Sequence, residues 1–128
     1  MAEVQLVIYA SETRANILGK TITSKAFTLT QSQAVKIRDY YYKLDSQRTT
    51  AISIIAGVVA GHMHASVSQA FGVSIATAVP LTTYFTRLGK QFDTLALNMS
   101  KRKKVRFIYK WRGGGSKGAY WLTDVRSA

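Results

Sequence analysis

The side chains best suited to metal binding or proton transfer are two histidines, His62 and His64, which lie two residues apart. A zinc site takes three or four ligands from histidine, cysteine, aspartate or glutamate. The chain has no cysteine, and no acidic residue lies close to the histidines in sequence. We therefore expect no metal site. A second hypothesis is that protonation of the pair at acidic pH adds charge at a turn, which opposes membrane insertion or favours contact with lipid phosphate.

Catalytic side chains show no recognisable arrangement. The six acidic residues are scattered along the chain at Glu3, Glu12, Asp39, Asp45, Asp93 and Asp124. None is paired with a histidine at a spacing typical of general acid–base catalysis, and there is no cysteine nucleophile. We expect a protein that is not an enzyme, with no cofactor and no small-molecule substrate.

The densest charge lies at residues 101–106, next to a segment rich in aromatic residues. The candidate anion-binding residues are Lys101, Arg102, Lys103, Lys104, Arg106, Lys110 and Arg112. The candidate interface aromatics are Tyr109, Trp111, Tyr120 and Trp121. Lysine and arginine contact nucleic-acid phosphates while aromatic rings stack on unpaired bases, but the same combination suits an anionic membrane surface. The aromatic residues could equally form a hydrophobic core, because alternate positions of a strand share one face.

A glycine-rich segment at residues 113–118 resembles a phosphate-binding loop only superficially. The GxxxxGK[ST] spacing is absent, and the segment lies between two predicted strands rather than before a helix. It predicts a hairpin turn.

Charge is distributed very unevenly along the chain. The 128 residues include 18 Lys and Arg against 6 Asp and Glu, which gives a net charge of +12. Residues 1–48 carry +3, residues 87–128 carry +9, and residues 49–86 contain no charged side chain of these four types. Such a basic balance predicts an anionic partner. The length allows one domain.

The spacing of apolar residues predicts an α+β fold with three parts. Residues 1–29 form a β unit with an N-terminal β-hairpin, and Thr30 and Gln33 match a capping box that starts a helix at residue 31. Apolar steps of three and four then predict a long antiparallel helical hairpin over about 31–61 and 66–98, with a kink or a new helix at Pro80. Residues 99–128 predict a C-terminal β-hairpin.

The first of these apolar seams is regular except for one basic residue. It comprises Ala34, Ile37, Tyr41, Leu44, Arg48, Ala51, Ile55 and Val58.

The uncharged residues 49–86 would form the tip of that helical hairpin. Small residues recur there every four positions, at Ser53, Gly57, Gly61, Ala65, Ser68, Gly72 and Ala76. This spacing lets two helices approach closely, as in membrane proteins. Lipid, other copies of the chain, or the rest of the domain could cover such a tip.

These features predict a small membrane-active protein, bacteriocin- or toxin-like and pore-forming, that inserts or oligomerises through the hairpin. Two alternatives are a self-assembling virion or filament protein with a basic region facing nucleic acid, and a soluble nucleic-acid-binding domain. We expect the chain itself, and anionic lipid or nucleic acid, as partners. The N-terminal residues show no signal peptide, so we expect synthesis in the cytoplasm followed by membrane association or incorporation into a particle.

Overall fold

The computed structural model describes residues 5–10, 19–43, 48–65, 67, 75–78, 82–114 and 117–128, and its fold is α+β. The strands are β1 (Gln5–Ala10), β2 (Thr21–Thr23), β3 (Phe27–Thr30), β4 (Ile75–Ala78), β5 (Arg102–Gly114) and β6 (Lys117–Ser127). The helices are α1 (Gln31–Lys43), α2 (Arg48–Gly61) and α3 (Thr82–Leu97).

The strands form one antiparallel sheet in the order β2–β5–β6–β1–β4, with β3 also paired to β5. The hairpin of β5 and β6 is its centre, and it runs from the pair Gly114–Lys117 to the pair Val105–Ser127. A bulge in β6 leaves Thr123 without a register partner, because Ile108 pairs with Asp124 while the next residue of β5 pairs with Leu122.

Between β2 and β3, the buried Ser24 supplies the hydrogen bonds to β5 that a strand residue would otherwise make. The N–H of Ser24 donates to the carbonyl of Phe107 at 2.9 Å, and the Ser24 hydroxyl accepts the N–H of Phe107 at 2.9 Å. Both backbone groups of Phe107 are therefore satisfied where no regular strand pairs with them.

Helix α1 begins where the sequence predicts. The N–H of Gln33 donates to the Thr30 hydroxyl at 3.1 Å, and the N–H of Thr30 donates to Gln33 Oε1 at 3.0 Å. This reciprocal pair is a capping box, which satisfies donors that a helix start would otherwise leave free.

The helices cover one face of the sheet. The odd-numbered residues Val105, Phe107 and Tyr109 of β5 are fully buried there. Phe107 meets the ring of Phe92 from α3 edge to face at 5.7 Å. Helix α2 adds aliphatic side chains to the same core, namely Ala51, Ile55, Val58 and Val59.

The predicted long helical hairpin is wrong. The stretch 31–61 contains two helices, α1 and α2, and within 66–98 the described helix is α3, preceded by strand β4. An apolar seam shows which face of a helix is buried, but it does not distinguish one long helix from two consecutive helices that bury their seams against the same partner. Here α1 packs mainly on α3, and α2 buries its apolar residues in the same core.

The predicted row of small residues is divided between different elements. Ser53, Gly57 and Gly61 lie on the exposed face of α2, and Ala65 is exposed beyond its end. Ala76 lies in strand β4 opposite Val7, which corrects its predicted helical position. The remaining two, Ser68 and Gly72, fall outside the described residues, as does Pro80.

Candidate polyanion-binding face

The face of the sheet opposite the helices carries a row of basic side chains. Even-numbered residues of β5 point to this face, because the odd-numbered ones point into the core. We define the basic face as Arg102, Lys104, Arg106, Lys110 and Arg112 of β5 with Arg126 of β6. Four of them are exposed and the other two, Arg106 and Arg112, are half-buried.

Two arginines of the basic face stand directly opposite each other. Arg106 and Arg126 are register partners on adjacent antiparallel strands. Side chains at such positions have Cβ atoms about 4.5–5.5 Å apart, and like charges there destabilise a sheet. A bound anion between the guanidinium groups would remove this repulsion.

Few described groups neutralise the basic face. The Arg106 guanidinium donates to the Ser24 carbonyl at 3.2 Å, and the Lys110 ammonium lies 3.9 Å from a carboxylate oxygen of Asp124. Among the described residues, Arg102, Lys104 and Arg126 have no ion-pair partner.

Asp124, the one described carboxylate on this face, is already engaged by a helix. It accepts hydrogen bonds from Arg87 at 2.7 Å and from Gln91 at 3.0 Å, both on α3, and from the neighbouring Thr123 hydroxyl at 2.8 Å. Burial by itself would raise the pKa of Asp124, but these hydrogen bonds outweigh it and lower the pKa below the ordinary value. Asp124 therefore stays ionised and pairs with Arg87 more closely than with Lys110.

The predicted interface aromatics are divided by the sheet. Tyr109 and Tyr120 are fully buried core residues, and Trp111 packs beside that core. Trp121 lies on the basic face, opposite Lys110 in register, with the Arg112 guanidinium 5.5 Å from its ring centre.

The two predicted anion-binding residues outside the basic face lie next to it. Lys101 is exposed just before β5, and Lys103 is half-buried at an odd-numbered position. Arg126 was not among the predicted residues. It is a single basic residue far along the chain from the run 101–106, and only the strand register brings it to Arg106.

The other two described carboxylates belong to the helical layer. Arg38 on α1 donates to Asp39 at 3.0 Å and to Asp93 of α3 at 3.1 Å. The described molecule is thus polarised, with its sheet side basic and its helical side closer to neutral.

The two histidines lie at the end of α2. The ring of His62 stacks on Phe27 at 5.1 Å, and His64 is exposed. In the part of the chain that the structure describes, no three metal-ligating side chains come together.

Within the same described ranges, no helix combines the length and the apolar character needed to cross a bilayer.

Comparison with protein-family models, with curated protein sequences and with solved structures gives no match.

Proposed function

We propose that the protein binds nucleic acid through the basic face. The supporting observation is the set of six basic side chains on one sheet face, with Arg106 opposite Arg126 and the described carboxylate engaged by Arg87. Successive even positions of β5 are about 6.8 Å apart. The buried Ile108 divides its cations into Arg102, Lys104 and Arg106 on one side and Lys110 and Arg112 on the other, and a linear polyanion would span both groups. Phosphates would contact these cations.

The aromatic side chain on the basic face favours a single strand. The half-buried ring of Trp121 lies among Lys110 and Arg112. Aromatic rings beside a basic groove stack on unpaired bases with little sequence preference. Paired bases within a duplex do not offer a free face for such stacking.

An anionic lipid surface fits the basic face less well. Membrane attachment combines basic groups with apolar side chains that enter the bilayer. Among the residues whose side-chain burial the structure describes, the exposed large hydrophobic ones are Tyr42 and Leu97, and both belong to the helical layer. Pore formation stays a prediction, but the long helical hairpin on which it was based is absent from the described residues. Self-assembly also stays a prediction.

Charge neutralisation tests the proposal. We expect Lys104→Gln with Arg126→Gln to weaken binding of a labelled oligothymidylate of about 20 nucleotides by roughly tenfold at low salt, because two phosphate contacts are lost. Fluorescence anisotropy measures this. The matched control is Lys36→Gln with Lys90→Gln, which removes the same charge from the helices α1 and α3.

Two results would contradict the proposal. One is an equal loss of affinity in both double variants, which would show attraction to net charge alone. The other is tighter binding to phosphatidylglycerol vesicles than to the oligonucleotide at equal phosphate concentration, which would identify a lipid ligand.

A further inference from the structure

A groove separates the outer edge of β3 from helix α2, away from the centre of the basic face. Its volume is about 350 Å³, and its lining includes Thr28 on the strand side and Ser53, Gly57 and Val58 on the helix side. The stacked rings of Phe27 and His62 also line it, as does Gln33.

The strand side of the groove offers a free backbone edge. The N–H of Gln31, just after β3, donates to the Lys101 carbonyl at 2.8 Å beside β5. Since neighbouring residues of a strand point their backbone groups to opposite sides, those of Thr28 point away from β5. The N–H of Thr30, on the same side, is taken by Gln33. Thr28 is exposed.

The helix side of the groove leaves room for an added strand. A Cβ atom placed on Gly57 would meet no heavy atom within 4 Å, and Ser53 one turn earlier is small and exposed. A larger side chain at either position would fill the groove without entering the core.

The charges around the groove favour an acidic occupant. Thr28 is the register partner of Lys104 and Thr30 that of Arg102, and Lys25 just before the strand is exposed. No described Lys, Arg, Asp or Glu lines the groove itself, so these basic residues lie beside it, on β5 and just before β3. A second copy of this chain fits poorly, because pairing two β3 edges would bring two such basic clusters together.

We propose that this groove binds an extended acidic peptide segment of a partner protein, which adds to the outer edge of β3 as a further strand. Strand addition of this kind takes affinity from main-chain hydrogen bonds and specificity from alternate side chains. The proposal does not depend on nucleic-acid binding by the basic face.

Isothermal titration calorimetry with a blocked hexapeptide of alternating valine and glutamate tests this inference. We expect saturable binding to the full chain, with the lysine analogue binding at least tenfold more weakly. Methylation of alternate peptide nitrogens should weaken binding roughly fivefold for each main-chain hydrogen bond lost. In parallel, hydrogen exchange at the Thr28 amide should slow when the acidic peptide is added.

Two glycines of one helix give a matched pair of variants. Gly57→Leu fills the groove and should abolish peptide binding, whereas Gly61→Leu, equally open but outside the lining, should leave it unchanged. Both variants should fold, because leucine is a better helix former than glycine. Both should bind the oligonucleotide as the parent chain does, which separates this test from that of the basic face.

Three outcomes would overturn the inference. The first is the absence of saturable binding, and the second is peptide binding that survives Gly57→Leu. The third is a dimer in sedimentation experiments that Gly57→Leu dissociates, which would make a second copy the occupant.

Discussion

Two buried tyrosines, Tyr109 and Tyr120, differ in what their hydroxyl groups contact. The Tyr120 hydroxyl donates to the Gly19 carbonyl at 2.7 Å, whereas that of Tyr109 has no hydrogen-bond partner among the described residues. Burial raises the pKa of Tyr109, so its phenol stays protonated and the polar oxygen remains in an apolar core.

The two hydroxyl groups can be compared by the same substitution. We expect Tyr109→Phe to raise the free energy of unfolding by about 1 kcal/mol, because it removes an unsatisfied buried group. Tyr120→Phe should lower it by a similar amount, because a hydrogen bond is lost. Urea denaturation measures both. A clear loss of stability in Tyr109→Phe would show that its hydroxyl is satisfied in solution.

The sequence limited the aromatic residues of β5 and β6 to two roles, core or binding surface, but could not decide between them. The alternation in β5 shows that Tyr109 and Trp111 share a face, and it permits either a core or a binding surface. The burial of Tyr109 shows that this face is the core. Trp121 lies on the opposite face because it pairs with Lys110. That pairing depends on the hairpin register, which the composition of one strand does not determine.

The close packing of α1 on α3 depends on a glycine. A Cβ atom on Gly89 would overlap a ring carbon of Tyr42, whereas at Gly57 of α2 a Cβ would lie in open space.

Matched alanine substitutions test this contact. We expect Gly89→Ala to lower the free energy of unfolding by about 1–3 kcal/mol through overpacking. Gly57→Ala should raise it by up to about 1 kcal/mol through helix propensity. Thermal unfolding followed by circular dichroism measures both. Equal stabilisation by both substitutions would show that the Tyr42 ring moves aside at little cost.

Local signals in the sequence predicted element starts better than element lengths. The pair Thr30 and Gln33 identified the start of α1, because a capping box involves only neighbouring residues. The end of α1 at Lys43 and the strand β4 were missed, because the heptad spacing continued through them. A β-branched alternation at Val73, Ile75, Thr77 and Val79 was the available signal for that strand.

The bulge in β6 places Arg126 on the basic face, a position that the sequence did not predict. Continuing the register of the Gly114–Lys117 pair without interruption would place Val125 opposite Arg106. The bulge at Thr123 shifts the register by one residue, so that Arg126 takes that position and Val125 enters the core. Single-residue insertions of this kind depend on tertiary contacts, here including Gln91 of α3, which accepts the N–H of Val125 at 2.8 Å.

The whole molecule separates its described charges into two layers. The net charge of +12 was evident from composition, and it predicted an anionic partner. Only the fold shows that six of the basic groups share one sheet face, while Arg38 holds Asp39 and Asp93 among the helices. This separation is the basis for assigning the polyanion to the sheet side rather than to the whole surface.

The salt dependence of oligonucleotide binding tests the central claim most directly. When lysine and arginine neutralise phosphates, the logarithm of the association constant falls linearly with the logarithm of the salt concentration. The slope is about 0.7 per phosphate contact for a single strand. We predict a steep slope for the parent chain, shallower by about 1.4 in Lys104→Gln with Arg126→Gln, because two contacts are lost. The slope should stay unchanged in Lys36→Gln with Lys90→Gln. The same slope in the parent chain and in both double variants would contradict nucleic-acid binding by the basic face.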